Sequence, residues 1–192
     1  MNFFKHLFKV LTHKYYVMIY CFKAGLYFQG IVHDLSKFSP TEFFESVKYY
    51  QGTRSPINAC KEDKGYSNAW LHHKGRNKHH HEYWQDDFDK GVTHLEMPFK
   101  YALEMVCDFL GANHAYCGKD FSFLTLLDWW ENRKKVLTSM NPITLAFVDE
   151  IIKTLVAENN FNVLRKSRAK LIYERIKDEK ECLAMLSNIS EK

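Results

Sequence analysis

The sequence predicts an all-α protein, and two observations lead to this prediction. Apolar residues recur at helical spacing through most of the chain, and Pro40, Pro98 and Pro142 each stand where such a segment begins. No segment shows a convincing strand-like alternation of apolar and polar residues, and no internal repeat is visible. At 192 residues the chain is large enough for one compact helical bundle with its own core.

The first predicted helix covers residues 3–28, which repeat apolar side chains at helical spacing and contain no proline. We interpret it as a buried amphipathic helix, because Lys23 divides its apolar run well short of the length of a membrane span. Basic residues interrupt its N-terminal part and no small-residue cleavage site follows. We therefore expect neither a targeting segment nor membrane association.

A second, short helix is predicted after Gly30, which permits a turn, and it carries the adjacent residues His33 and Asp34 near its start. Residues 39–42, Ser-Pro-Thr-Glu, are typical of a helix start, with a Ser N-cap, Pro at the first helical position and a Glu that completes a capping box. The third helix then extends to about Tyr50.

The rest of the chain continues the helical pattern with one interruption. Residues 51–66 are rich in polar residues, glycine and proline, and predict a long loop, a segment type that often carries function. Three more helices are predicted over residues 98–117, 121–140 and 142–159. The charged segment of residues 161–187 is typical of a surface helix.

This pattern divides the chain into a helical domain, residues 1–160, and a C-terminal helix, residues 161–192, that packs on the domain or on a partner chain. The thin apolar stripe of the C-terminal helix consists of Leu164, Leu171, Ile172, Ile176, Leu183 and Leu186. Through this stripe the helix is a candidate contact for a homo-oligomer.

Composition limits the partners that we expect. The formal net charge is +4 with neutral histidines, and no long Lys/Arg block is present. This balance favours a small anionic ligand and argues against a nucleic-acid track. The five cysteines are scattered and form no Cys-x-x-Cys pair, which indicates reduced thiols in the cytoplasm.

The His33-Asp34 doublet is the first candidate for chemistry. It offers an imidazole nitrogen and a carboxylate oxygen, the mixed set that suits divalent transition metals. Lys37 follows on the same helical face, so a fixed positive charge would stand beside any metal-bound anion. A capping or salt-bridging pair is the commoner explanation of a lone doublet, and the metal hypothesis therefore depends on finding further ligands.

A second candidate is a histidine cluster within ten residues, consisting of His72, His73, His79, His80 and His81. On a continuous helix His73 and His80 are seven residues apart and face the same way, so we choose these two as ligands. His72 and His81 are the reserves, because Gly75 could shift the register. The alternative is a solvated polar face that binds metal adventitiously, although aromatic residues on both sides anchor the cluster.

Two further residues complete the candidate ligand set. Asp108 lies in an apolar helical context, where an inward carboxylate must be paired or metal-bound, and pairing with a Lys or Arg is the alternative. His13 lies midway along the first helix, where a lone His is usually a hydrogen-bonded core residue. It becomes a candidate ligand because the doublet follows within reach of a helical hairpin.

Several basic or polar residues near the histidine cluster and in the predicted loop are candidates for binding a phosphate or another anion. They are Arg54, Lys74, Arg76, Asn77 and Lys78. The alternative for each of them is ordinary solvated surface charge.

Taken together, His13, the His33-Asp34 doublet and Asp108 resemble the H…HD…D signature of the HD-domain superfamily of metal-dependent phosphohydrolases. Lys37 fits the His-Asp-x-x-Lys pattern that members often carry. More closely, the segments GIVHDLSKFSPTEF and SPINACKEDKGYSNAWLHHKGRNKHHHEYW are similar to an uncharacterised bacterial and phage family related to HD domains. This resemblance covers roughly residues 10–110.

The resemblance implies that residues 1–160 form an HD-like metal-binding domain. It implies that His13, His33, Asp34 and Asp108 hold a divalent iron, manganese or zinc ion, which would lower the pKa of a bound water.

Additional ligands from His73 and His80 would allow a second ion, with Asp34 as the natural bridge because a carboxylate has two oxygens. Lys37 would neutralise charge that builds on a phosphoryl oxygen in the transition state.

The expected function is therefore a cytoplasmic metal-dependent hydrolase of a small phosphorylated substrate, with a nucleotide as one candidate. Two alternatives remain open. HD relatives with a diiron pair use oxygen to cleave C–C or C–P bonds, and a His-rich site suits iron. The other alternative is a metal-stabilised binding module without turnover, which closed coordination would favour.

Overall fold

The computed structural model describes residues 2–89 and 91–190, and in this part of the chain it confirms the all-α prediction. About 74% of the described residues are helical. The nine α-helices among the described residues are α1 (Asn2–Lys23), α2 (Tyr27–Val32), α3 (Pro40–Lys48), α4 (Pro56–Lys64), α5 (Asn68–Lys74), α6 (Phe99–Cys117), α7 (Phe123–Lys134), α8 (Pro142–Glu158) and α9 (Lys166–Ser190). A short antiparallel hairpin, β1 (Gln85–Phe88) and β2 (Gly91–His94), stands between α5 and α6.

Helix α6 is the centre of the core, because every residue from Ala102 to Gly111 is buried. A helix that is covered all round must have neighbours on every side. Helix α1 packs along one side of α6, and α7, α8 and the start of α9 pack on the others. Two carboxylates, Glu104 and Asp108, lie within this buried stretch and therefore need partners.

The contact between α1 and α6 is unusually close at Gly111. A Cβ placed there would meet the Val17 side chain and lie 2.9 Å from the Val17 backbone nitrogen. Real Cβ atoms do not approach backbone this closely, so the two helices reach their observed separation only because residue 111 has no side chain. This separation fixes how far His13 on α1 stands from Asp108 on α6.

The first predicted helix is wrong in its C-terminal bound and in its burial. Gly25 has a φ of +71° and ends the helix, so residues 27–32 form a separate helix, α2. The inner side of α1 is buried, but Phe4 and Phe8 on the outer side are 76% and 72% exposed. The apolar run therefore covers both sides of the helix, and only one of them faces the core.

Other predicted bounds also need correction. Residues 51–66 are not a continuous loop, because α4 begins at Pro56, which occupies the first helical turn. The helix predicted over 121–140 ends at Lys134. The hairpin at residues 85–94 was missed because its four-residue strands carry largely exposed, polar side chains without an apolar face.

The C-terminal helix α9 packs through its first half. Ala169, Tyr173 and Ile176 are buried, and the Tyr173 hydroxyl donates to the Met97 carbonyl. Of the predicted stripe, Leu171 and Leu183 are exposed, and the side chain of Leu186 lies outside the described residues. The division of the chain at residue 160 stays a prediction.

Among the described residues, no helix combines the length and the apolar composition that crossing a bilayer requires.

The close approach at Gly111 predicts that Gly111→Ala is destabilising. Helix propensity alone would stabilise the variant by about 1 kcal/mol, whereas overpacking against Val17 costs about 1–3 kcal/mol. We expect the net free energy of unfolding, measured in urea, to fall.

Val17→Ala/Gly111→Ala is the matched control, because it removes the side-chain part of the clash while the contact with the Val17 backbone stays. In a double-mutant cycle, Gly111→Ala should therefore lower the free energy of unfolding less in the Val17→Ala background than in the wild type. A more stable Gly111→Ala variant would contradict the close packing.

Candidate functional site

The sequence predicted that the His33-Asp34 doublet lies in a short helix. The structure places it instead at the chain reversal that follows α2. His33 ends α2, and Asp34 has a φ of 55° in the left-handed region, after which residues 35–38 form a 3-10 turn. This conformation costs a non-glycine residue roughly 1–2 kcal/mol, least for Asn and Asp. The reversal allows two adjacent side chains to point into the same buried cluster.

The first cluster joins α1, the reversal and α6, and consists of His13, His33, Asp34 and Asp108. The Nε2 atom of His13 lies 3.2 Å from Asp34 Oδ2 and 3.2 Å from Asp108 Oδ1. The Nε2 atom of His33 lies 3.3 Å and 3.4 Å from the same two oxygens. All four residues are buried, and the structure thus brings together the four residues of the H…HD…D pattern.

The second cluster consists of Asp34, His73, His79 and His80. The Nε2 atoms of His73 and His79 lie 3.3 Å and 3.4 Å from Asp34 Oδ1. The Nε2 atoms of His73 and His80 are 2.9 Å apart. Asp34 therefore belongs to both clusters, with Oδ2 facing the first and Oδ1 facing the second.

His73 and His80 meet, but not on the continuous helix that the sequence predicted. Helix α5 ends at Lys74, and the chain turns at Gly75 and folds back so that His79 and His80 approach His73. His79 was missed because helical periodicity places it away from His73. Gly75 and the polar residues after it are typical of a helix end. A prediction that ended the helix there would not have used helical periodicity to exclude His79.

The two reserve histidines point elsewhere. His72 Nδ1 is bonded to Glu42 Oε1 at 2.6 Å, on the outside of the clusters. His81 Nε2 faces the Ser139 hydroxyl at 3.3 Å, and its Nδ1 lies near Glu82. Neither residue belongs to either cluster.

Two buried carboxylates hold the histidines from behind. Glu104 Oε1 lies 3.1 Å from His33 Nδ1 and 3.4 Å from His79 Nδ1, and it thus contacts both clusters. Glu42 Oε2 lies 2.7 Å from His73 Nδ1. A carboxylate that accepts from Nδ1–H leaves Nε2 as the atom that can bind a metal when the imidazole is neutral, and here each Nε2 points inward. Burial opposes a charge on His33, but Asp34, Asp108 and Glu104 outweigh it and raise the pKa of His33 well above its usual value, so a metal that binds there displaces a proton.

Sequence reasoning assigned Glu42 to a capping box, which is wrong. The Ser39 hydroxyl does accept from the Glu42 backbone N–H, but the Glu42 carboxylate faces the histidines of α5 instead of returning to the Ser39 backbone. The local pattern identified the helix start correctly, but the Glu42 carboxylate makes its hydrogen bonds with the histidines of α5.

Three buried polar atoms in the clusters have no hydrogen-bond partner in the described protein. They are His33 Nε2, His79 Nε2 and Asp34 Oδ1. Buried polar atoms are nearly always satisfied, so each exception needs an explanation. All three atoms face the shared interior of the clusters.

The two clusters differ in charge. Burial alone would raise the pKa of Asp34, but His33 and Lys37 outweigh it and hold that pKa well below its usual value. Burial would likewise raise the pKa of Asp108, and His13 and His33 hold it well below the usual range. The first cluster therefore carries two ionised carboxylates.

In the second cluster, burial and the neighbouring histidines lower the pKa values of His79 and His80. These imidazoles are therefore neutral near pH 7, which is the form that binds a metal. The second cluster depends on the shared Asp34 for its negative charge.

Lys37 stands at the edge of the clusters, with its Nζ 2.5 Å from Asp34 Oδ2. Burial opposes its charge, but Asp34 and Asp108 outweigh burial and raise the pKa of Lys37, so the ammonium stays protonated. The side chain is 27% exposed and lines a cavity of about 200 Å³ that opens onto both clusters.

The rest of the cavity lining is largely apolar and aromatic, and includes Tyr50, Tyr116 and Trp70, whose ring contacts His80 with the ring centroids 5.0 Å apart. Lys9 also lines the cavity, and its ammonium donates to the Ala115 carbonyl at 2.7 Å. Sequence reasoning missed Lys9, although it stands one turn before His13 on α1 and this spacing was a usable signal.

The five residues predicted to bind substrate do not line the cavity. Arg54 forms a bidentate pair with Glu62 of α4, and Lys78 lies over the rings of Tyr83 and Tyr101. The Arg76 guanidinium donates to the His72 carbonyl.

Lys74 belongs to the last turn of α5. Asn77 lies beside the second cluster, where its amide donates to the Ser36 hydroxyl and the His73 carbonyl, both at 2.8 Å. It is thus placed to orient His73.

Comparison with known proteins gives one informative result. No curated protein and no solved structure matches the chain. A model for a family of unknown function (DUF5662) matches residues 2–157, a span that contains both clusters, Lys37 and the carboxylates behind the histidines. The match covers most of the chain, which therefore belongs to the family of unknown function DUF5662.

Proposed function

We propose that this protein is a metal-dependent hydrolase of a small phosphorylated substrate. The observation that carries the proposal is the position of Asp34, whose two carboxylate oxygens face two separate groups of candidate ligands. Each group supplies four donor atoms within 4.8 Å of one another. A shared carboxylate of this kind supports two adjacent divalent ions.

The spacing of the donor atoms supports metal ions at both clusters. Donor atoms about 2.1 Å from one ion stand about 3.0 Å apart at a right angle and about 3.4 Å apart at the tetrahedral angle. The donor pairs in direct contact are 2.9 Å apart between two histidines and up to 3.4 Å apart between histidine and aspartate, and all donor atoms of one group lie within 4.8 Å of one another. An ion would also supply the missing partner of the three unsatisfied buried atoms.

The donor types favour a transition metal. The first cluster offers two imidazoles and two carboxylates, and the second offers three imidazoles and the shared carboxylate. Imidazole-rich sets suit iron, zinc and related ions, whereas calcium and magnesium prefer oxygen donors. When bound, such an ion supplies Lewis acidity and lowers the pKa of a coordinated water.

The residues of the chain itself support phosphate chemistry. Lys37 holds a protonated ammonium beside Asp34 and faces the cavity, where it would stabilise negative charge on a phosphoryl oxygen. The aromatic wall with Trp70 and Tyr116 would receive the organic part of the substrate and exclude water from it. A nucleotide is one ligand with this division into an anionic end and a flat, largely apolar end.

The same geometry supports a relationship to the HD-domain superfamily. His13, His33, Asp34 and Asp108 are far apart in sequence but form one buried group, in the order that the H…HD…D signature requires. Lys37 stands three residues after Asp34 and contacts it. The proposal therefore extends the resemblance from sequence motifs to side-chain geometry.

The proposal predicts that the protein purified without chelator carries a transition metal. Asp34→Asn should lose binding at both clusters, because the two groups share this carboxylate. His79→Ala should weaken binding at the second cluster by at least about 10-fold, since losing even an outer partner of a ligand costs about 10–100-fold. Elemental analysis and titration with iron(II), manganese(II) and zinc(II) measure both effects.

His72→Ala is the matched control, because His72 is a neighbouring histidine that faces Glu42 outside the clusters. It should retain the metal content of the wild type. Metal-free wild-type protein that also takes up none of the three ions would refute the metal centre.

Lys37→Met should leave metal content and helicity intact and lower kcat by roughly 100-fold to 1000-fold, with a smaller effect on KM. The reason is that the Lys37 ammonium is proposed to act on charge that develops in the transition state. Lys78→Met is the control, because Lys78 lies over aromatic rings outside the cavity. An unchanged rate for Lys37→Met would contradict this catalytic role and would mean that Lys37 serves only in the ion pair with Asp34.

The reaction itself should be hydrolysis. The metal-loaded protein is assayed for phosphate release from a panel of nucleotides and sugar phosphates, with manganese in air and with iron(II) under anaerobic conditions. Release without oxygen supports the proposal. Substrate-dependent oxygen uptake by the iron form, with no phosphate released from the panel, would assign the site to the diiron oxygenase alternative instead.

A further inference from the structure

The outer face of α1 presents a stripe of apolar side chains to solvent. This outer seam consists of Phe4, Phe8, Leu11, Tyr15, Met18 and Phe22. Five of the six are exposed by 40% to 76%, and Met18 is half-buried. The seam runs the length of α1, about 30 Å, on the side opposite to the buried residues Val10, His13 and Val17.

The spacing of the outer seam is that of a coiled coil. Its residues follow each other at intervals of four, three, four, three and four, which is an unbroken a/d heptad pattern. A helix that covers a globular core shows a wider apolar stripe, whereas a strict a/d seam is narrow and fits the side chains of one facing helix. The occupant that this pattern fits is therefore another helix.

The outer seam is also symmetric about residue 13. Positions 4 and 22, 8 and 18, and 11 and 15 are equidistant from that point, so the spacing of the seam, though not its residue types, is the same in both directions along the helix. Two copies of such a helix can pair in antiparallel fashion about a two-fold axis. The contact then closes on itself and gives a dimer instead of a filament.

The exposed area approaches what a dimer needs. If a fully exposed aromatic side chain presents about 200 Å², the rings of Phe4, Phe8, Tyr15, Phe22 and the adjacent Tyr27 expose roughly 600 Å² together. A standard protein interface buries about 800 Å² per partner. Leu11 adds to the aromatic contribution, so the seam and its immediate neighbours supply most of this area.

The outer seam is uncharged, and lysines stand beside it. Two lysines flank the seam: Lys14, whose ammonium is bonded to the Ile31 and His33 carbonyls, and the exposed Lys5. Residues 2–41 contain one carboxylate, Asp34, which is buried, so these lysines have no opposite charge to pair with at the contact, which therefore depends on the apolar positions. The six seam positions themselves carry no charge, and a fully buried contact there would desolvate none.

We infer that two copies of this chain associate through the outer seam of α1. The inference does not depend on the proposed activity, because the seam faces away from both clusters. It places the dimer contact on α1, whereas the sequence pattern pointed to the C-terminal helix.

The test is the mass of the full-length protein in solution, measured by light scattering over a wide range of concentrations. We expect a mass twice the 22.8 kDa of one chain. Leu11→Glu/Tyr15→Glu should give monomers, because both positions face solvent in the single chain and their charges would be buried in the dimer. Leu124→Glu/Val136→Glu is the matched control, since these residues are 67% and 75% exposed elsewhere on the surface.

A second measurement does not depend on how well the charged variant folds. In a Cys182→Ser background, which removes the exposed native thiol, Leu11→Cys/Tyr15→Cys should form a disulfide-linked dimer on mild oxidation. Leu124→Cys/Val136→Cys should not.

Three results would overturn the inference. One is a monomeric wild type at tens of micromolar, and another is a dimer that survives the charged seam variant, which would move the contact to α9 or elsewhere. The third is a monomer that sediments with anionic phospholipid vesicles and loses this binding in the same variant, which would assign the seam to a lipid surface.

Discussion

The buried carboxylate of Asp34 is the constraint on which the rest of the site depends. An ionised group removed from water costs several kcal/mol unless charges and hydrogen bonds surround it. Here the surrounding groups come from α1, from the reversal that carries Asp34 and Lys37, and from α5 with the turn after it. Two distant parts of the chain must therefore be in place beside the reversal before this one carboxylate is stable, which ties the formation of the site to the formation of the fold.

Glu104 extends the same dependence to the core. It stands behind a histidine of each cluster, and it is carried by the buried stretch of α6 that also carries Asp108. A displacement of α6 would thus change the orientation of ligands in both clusters at once. We expect the two proposed ions to bind interdependently, because the clusters share both a direct donor, Asp34, and a supporting one, Glu104.

The helices with long periodic patterns, and the candidate residues that lie on them, could be predicted from the sequence. Sequence reasoning predicted α6 and α8 closely and selected His13, Asp108 and the doublet, which the structure brings together. It missed features that tertiary contacts decide. The left-handed conformation of Asp34 has no local signature, and His79 reaches the cluster only because a turn after α5 reverses the chain. Glu42 had a sufficient local explanation at its helix start, so nothing in the sequence indicated its second role.

The absence of a side chain at Gly111 has a consequence for the metal site proposed above. Val17 lies one turn after His13, and Gly111 lies one turn after Asp108, so the helix contact adjoins the two residues that face each other across the first cluster. The contact sets a lower limit on the gap between His13 and Asp108, and the core behind α6 resists its widening. Residue 111 would therefore act as a spacer of fixed thickness: with the ions proposed above in place, it would favour small ones, and an alanine at this position would press the two helices apart and favour larger ones.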